Sequence, residues 1–134
     1  MVDAPADLAR VIYYQAWAEA GNYQIATRRP CRAQGDRVAC AITVTDDIGK
    51  ALGYVATDTF WLRLHGDKVS AVEFTSDDPP VLQDVLEWMQ THRPQVFVGP
   101  CAGMFAQGKT PAACVKAVVH AANDYAAAFP NKLP

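Results

Sequence analysis

Alternation of apolar and polar residues at every second position dominates the middle of the chain, and helical spacing of apolar residues dominates its two ends. From Tyr54 to Thr75 the pattern predicts two strands joined at His65-Gly66-Asp67. Counting by twos along the first puts Tyr54, Ala56, Asp58, Phe60, Leu62 and Leu64 on one face, because successive side chains point to opposite sides of a pleated strand. A lone carboxylate therefore shares a face with large apolar groups. Upstream, RVACAITVT sets Val38, Cys40, Ile42 and Val44 on one side, the mark of a half-buried antiparallel strand. Gln34-Gly35-Asp36 is turn chemistry, and the alternation from Tyr23 to Cys31 predicts a first strand whose end Pro30 places at an edge or a bulge. The stretch Asp46-Asp47-Ile48-Gly49-Lys50 reads as a polar connection.

At the N-terminal end, Asp7 is placed to cap a helix from about Leu8 to Ala20 that Gly21 stops, with Tyr13, Tyr14 and Trp17 spread around its circumference. Asp78 and Pro79 are placed to begin a second helix along Val81, Leu82, Val85, Leu86 and Met89, and Pro94 lies beyond its end. Thr110-Pro111 opens a third, with a stripe of Val115, Val118, Val119, Ala122, Tyr125, Ala126 and Phe129. Between these two, Gln95 to Gly108 reads as irregular or as a short extended piece. The expected class is α+β: a curved, mostly antiparallel sheet of about four strands packed against about three helices. All of it fits a single domain, residues 1–134, in which 1–78 form a helix plus β-meander core and 79–134 a helical extension.

Composition narrows the partners. The chain has 134 residues, 51% of them hydrophobic, enough for one sizeable core. A charged fraction of 19% and a net charge of −2 offer no excess of basic groups for phosphates or anionic lipid, so neither nucleic acid nor a membrane is an expected partner. With no basic segment leading into an apolar run at the start, the reading is a cytoplasmic protein. Cys31, Cys40, Cys101 and Cys114 then read as buried free thiols, although a Cys31–Cys40 bridge is geometrically possible if their strands pair.

Three features invite a chemical reading. Gly103 to Thr110 fits the phosphate-loop pattern G-x-x-x-x-G-K-S/T, but a meander upstream and a single helix downstream are the wrong context for it. The three histidines, His65, His92 and His120, are read as surface or boundary groups, and no residue cluster has metal-ligand spacing. Asp58 is the sharper case. A carboxylate on an apolar face loses hydration and becomes either a polar anchor or a proton donor or acceptor, unless Arg28, Arg29 or a backbone N–H satisfies it.

The order helix, strands, turn, then a long strand D-T-F-W-L-R-L-H-G-D-K-V resembles the nuclear transport factor 2-like superfamily, which includes SnoaL-like polyketide cyclases and ketosteroid isomerases. The likeness runs from about Leu8 to Asp78, with Gly35-Asp36-Arg37-Val38 opening a strand and Asp58 ten residues before Lys68. It implies a cone whose mouth holds a small hydrophobic molecule, with an acid near the position of Asp58 donating a hydrogen bond to a ligand oxygen. The segment that supplies the family's second acid has no counterpart in these residues, and two extra helical segments follow Asp78.

The functional expectation is thus a small-molecule-binding or dimerisation module with an apolar pocket near Asp58, lined by Tyr13, Trp17, Cys40, Phe60 and Leu62. Its alternative is a cofactor-independent isomerase, cyclase or hydratase, with Asp58 moving a proton and Tyr14 polarising a carbonyl. A homodimer is expected through the other sheet face, which carries Thr57, Thr59, Trp61 and Arg63.

Overall fold

A computed structural model describes residues 15–103 and 111–134. The described part of α1 covers 15–20, and it is followed by β1 (Gln24–Arg28), β2 (Arg32–Gln34), β3 (Arg37–Thr45), α2 (Asp47–Leu52), β4 (Ala56–His65) and β5 (Lys68–Ser76). Then come α3 (Val81–His92), α4 (Pro94–Val98) and α5 (Ala112–Ala128), with a closing 3-10 turn at Pro130–Lys132. The fold is α+β with an open antiparallel sheet. Its order is β1-β3-β4-β5, and β2 continues along β3 where β1 leaves off. Arg29-Pro30-Cys31 bridges β1 and β2, so Pro30 sits in a gap where no ladder bond is required of it.

Both tight hairpins use one device. Gln34 pairs with Arg37 and His65 with Lys68, leaving Gly35-Asp36 and Gly66-Asp67 as two-residue loops. Gly35 has φ 62° and Gly66 φ 64°, values that side chains rarely adopt and that glycine reaches freely. Two bulges modify the ladders. One, between Ile25 and Thr27, shifts the register of β1 so that Ile25 faces Val44 and Arg28 faces Ile42. The other leaves Ser70 as the extra residue of β5, so that Val69 faces Leu64 while Val72 faces Leu62.

The tightest packing lies among the helices. Ile48, Leu52, Val81, Val85, Met89, Val96, Cys114, Val118, Ala122 and Tyr125 form one buried cluster with Cys101 and Ala121. Leu52, Val85, Met89 and Val115 are fully buried, each worth roughly 1.5–3 kcal/mol on removal from water. The sheet contributes only Val44 and Ala56 to the buried apolar residues, both at the end next to the helices. Farther along the same face Leu64 is 51% and Val72 54% exposed, so the described helices leave much of the sheet uncovered.

Three local features differ from the sequence reading. The 46–50 connection is helical: Asp46 caps it, Ile48 and Leu52 bury one side, and Gly53 closes it in a left-handed conformation. Residues 94–98 form a short helix opened by Pro94 rather than an extended piece. Asp78 does not cap α3; Pro80 holds that place without a side-chain bond. Residue Asp7 and most of the 103–110 loop lie outside the described residues.

The cysteines overturn a larger expectation. They are not free thiols: Cys31 pairs with Cys40 and Cys101 with Cys114. The first bridge extends the β2–β3 register by one pair beyond Arg32 and Ala39, with its α-carbons 4.3 Å apart. The second ties the segment after α4 to the first turn of α5 and is part of the helical core. Two disulfides are the usage of an extracellular or otherwise oxidising compartment, which corrects the cytoplasmic reading. No helix among the described residues is long and apolar enough to cross a membrane.

The two bridges are expected to respond differently to reductant. Cys31 is exposed, whereas Cys101 and Cys114 are 5% and 0% exposed. Under native conditions dithiothreitol followed by alkylation and mass mapping should label Cys31 and Cys40 first, with Cys101 and Cys114 labelled only on unfolding. Replacing Cys101 and Cys114 by alanine should lower stability by about 3 kcal/mol in urea titration, the loop-closure contribution expected for a bridge of this span.

Candidate functional site

Antiparallel register sets Arg28, Ile42, Asp58 and Ser76 side by side in one row across the apolar face. Asp58 is the buried charged residue of the described chain, 4% exposed. Its partner is neither Arg28 nor Arg29: the hydroxyl of Tyr23 donates to Asp58 Oδ2 at 2.6 Å. Tyr23 stands between the end of α1 and the start of β1, on the side that Ile25 continues, which is how it reaches a strand two places away.

Around this pair lies a group of carboxyls and phenols where the sheet meets the helices. Tyr54 and Ser76 lie beside the Asp78 carboxyl, near enough to influence its protonation and to be influenced by it. Asp46 Oδ1 accepts from the backbone of Gly49 at 2.6 Å and so caps α2. Gly49 has no room to change here, because a β-carbon would come 2.8 Å from the Tyr54 carbonyl oxygen. Thr57 N–H donates to Asp77 Oδ1 at 2.5 Å, binding the start of β4 to the end of β5.

The electrostatics follow from burial first. Desolvation pushes the Tyr23 phenol above its ordinary value, with its bond to Asp58 and that carboxylate's charge adding to the rise. Tyr54 is raised by desolvation and then by the charges of Asp78 and Asp46. Both phenols are therefore held protonated as donors. Asp46 and Asp78 are raised from 3.8, again chiefly by desolvation, with partial relief from Gly49 N–H and the Ser76 hydroxyl respectively and further increase from neighbouring carboxylates. Asp78 is exposed on the outer side of the group, so solvent screening weakens its share.

Beyond Ile42 the same face opens into a cleft of about 490 Å³ lined by Arg28, Arg29, Cys31, Cys40, Ile42, Phe60, Leu62 and Val72. That volume falls in the range of small-molecule sites. Cys40, Phe60 and Leu62 of the expected ligand residues meet there. Trp17 does not; it packs against the helical core. Tyr13 and Tyr14 lie outside the described residues. Asp58 is next to the cleft in the register but does not line it. Sequence reading missed Tyr23 as its partner and Arg28 as a cleft residue. Alternation placed Tyr23 on the correct side, but nothing in it revealed the bulge that turns Arg28 onto this face.

A second cleft, about 410 Å³, lies on the helical side between Asp84, Glu87, Trp88, Tyr125, Phe129 and Lys132. Its aromatic rings already hold cations from the chain, with Lys132 Nζ 4.9 Å from the Phe129 ring and the Arg93 guanidinium 4.9 Å from that of Trp88. On the sheet face opposite the first cleft, Arg37 stacks 4.9 Å over Trp61 and pairs with Glu73 at 3.2 Å, so Trp61 receives cover from its own chain. Among the described residues no group of three or more His, Cys, Asp or Glu is placed to hold a metal ion. No family model, curated protein or solved structure matches the chain.

Removing the Tyr23 hydroxyl tests whether the pair is a structural tie. Tyr23→Phe leaves a buried carboxylate without that donor and should cost about 1–3 kcal/mol in chemical denaturation. Adding Asp58→Asn to it should cost less than the sum of the two single changes.

The raised carboxyls fix the sign of a pH dependence. For an acid whose folded pKa lies above its unfolded one, the folded state binds the extra proton, so stability is full below the unfolded value and is lost as pH rises through the folded one. Melting temperature should therefore rise as pH is lowered from neutral toward the ordinary carboxyl range. Asp46→Asn, which keeps a capping oxygen, should flatten that rise and raise stability at neutral pH.

Proposed function

We propose that the chain is a small-molecule-binding module whose site is the cleft on the open half of the sheet. One observation carries the reading: an apolar floor of Ile42, Phe60, Leu62 and Val72 remains accessible in a cleft of ligand size, beside a helical layer that has a buried apolar core. In a stable domain a patch of this kind has a use, because exposed contiguous apolar surface favours association. The resemblance to nuclear transport factor 2-like proteins, which hold apolar molecules against an antiparallel sheet, is in keeping with it and belongs to the same proposal.

The enzyme reading has one observation in its favour, the phenol of Tyr23 at 2.6 Å from Asp58. Against it, Asp58 is 4% exposed and is not among the described residues lining either cleft, which does not favour contact with a carbonyl substrate. Asp58 serves better as the anchor that holds β1 and β4 in place beside the binding surface. A homodimer through the Trp61 face has less support, since Arg37 covers that ring.

A neutral dye that fluoresces in apolar surroundings, N-phenyl-1-naphthylamine, should bind saturably with one site per chain. Phe60→Asp and Leu62→Asp should each weaken it by about tenfold or more, given roughly 1.5–3 kcal/mol for burying such side chains against a ligand, with unchanged far-ultraviolet circular dichroism. Equal binding to the wild type and both variants would sink the assignment of the site.

A further inference from the structure

We propose that the cleft selects ligands ending in an anionic group, an apolar chain with a carboxylate-like head, and that Arg28 and Arg29 anchor that head. The inference rests on the binding reading above and deepens it by naming the class of ligand. It starts from the backbone. Plain alternation along β1 would place Thr27 beside Ile25 on the cleft face, but the bulge between Ile25 and Thr27 substitutes Arg28, opposite Ile42. A long cationic side chain is thereby brought to a cleft whose other described lining residues, Arg29 apart, are apolar or cystine, with Asp58 in the same row but outside the lining.

Arg29 is restrained by its neighbour Pro30. The residue before a proline is confined to extended conformations, and Pro30 itself has one soft dihedral fewer. On one side the segment is held by the Arg28–Ile42 pairing and on the other by the Cys31–Cys40 bridge, both of whose residues line the cleft. Two guanidinium groups are thus carried on a short stretch of constrained chain, which lowers the ordering needed when an anion arrives.

Charge decides the kind of head group. Among the described residues no Asp or Glu lines this cleft, and neither Arg28 nor Arg29 takes part in an ion pair. By contrast Arg37, Arg63 and Arg93 lie beside Glu73, Asp36 and Asp124 at 3.2, 3.7 and 3.2 Å. Arg32 is also without an ion pair, but it stands opposite Ala39 and so belongs to the other face. The pair of arginines at the cleft therefore meets an apolar floor with a fork of N–H donors that matches a carboxylate or phosphate oxygen pair. The positive charge is local, since the chain as a whole carries −2.

Displacement of N-phenyl-1-naphthylamine from the full chain tests this, using decanoate, decan-1-ol and decyltrimethylammonium below their aggregation limits. Decanoate should displace the dye at concentrations about tenfold lower than the other two, a modest preference because the arginines are exposed. Arg28→Gln combined with Arg29→Gln should erase the preference while retaining dye binding. Each added methylene in the carboxylate series should still improve displacement by up to about fourfold in both proteins. If the alcohol and the carboxylate displace equally, the anionic selection fails and the apolar site stands. If the dye itself does not bind and sedimentation shows a dimer, the cleft is an interface between copies and both readings fail. Binding to vesicles of phosphatidylglycerol without any response to free decanoate would move the partner to a lipid surface and overturn the proposal.

Discussion

The hydrogen bond from Tyr23 to Asp58 is the constraint around which the two layers meet. A carboxylate almost wholly out of water has to be met by a donor, and here a phenol at 2.6 Å meets it rather than a guanidinium. Because Tyr23 stands between α1 and β1 and Asp58 lies in β4, the bond spans β3 and fixes the near end of the sheet. Asp47 N–H donating to the carbonyl of Gly21 at 2.8 Å adds a backbone tie from α2 to the same corner. The neighbouring acids and phenols make the corner polar, with burial as the dominant influence on each.

Away from that corner the layers behave differently. The helical layer is closed by apolar packing and a buried disulfide, whereas the outer sheet relies on backbone ladders, two tight Gly-Asp turns and a disulfide at the surface. This division explains how an apolar sheet face persists beyond the cover of the described helices: the ladders and the bridge hold the strands in place. The fold therefore separates where it is stabilised from where it is accessible, and the proposed cleft lies in the accessible part.

Alternation carried most of the strand assignment, because side-chain period in a strand is rigidly two and turns are written in glycine. It placed Asp58, Phe60 and Leu62 on one face, where they are found. It could not reveal the bulges, which are matters of register between strands, and so hid Arg28. The helix over 47–52 was illegible as such, since a single turn and a half has only Ile48 and Leu52 to mark it and its start and end residues are equally those of a loop. The cystines are a different case: Cys31–Cys40 is legible only as a geometric possibility and Cys101–Cys114 not at all. Thiol pairing depends on distance and on the redox state of the compartment, and neither spacing nor hydropathy encodes them.

The extra residue in β5 has a consequence for one flank of the sheet. That strand is the last in the order, and a terminal strand is the kind on which another chain can stack. Ser70 breaks the ladder early in the strand and turns its hydroxyl back to donate to the Arg63 carbonyl at 3.3 Å, while Lys68 opens the strand with a charge. The kink that keeps Val69 and Val72 on the cleft face thus also interrupts the straight run of β5, the kind of device by which sheet edges discourage pairing with another chain.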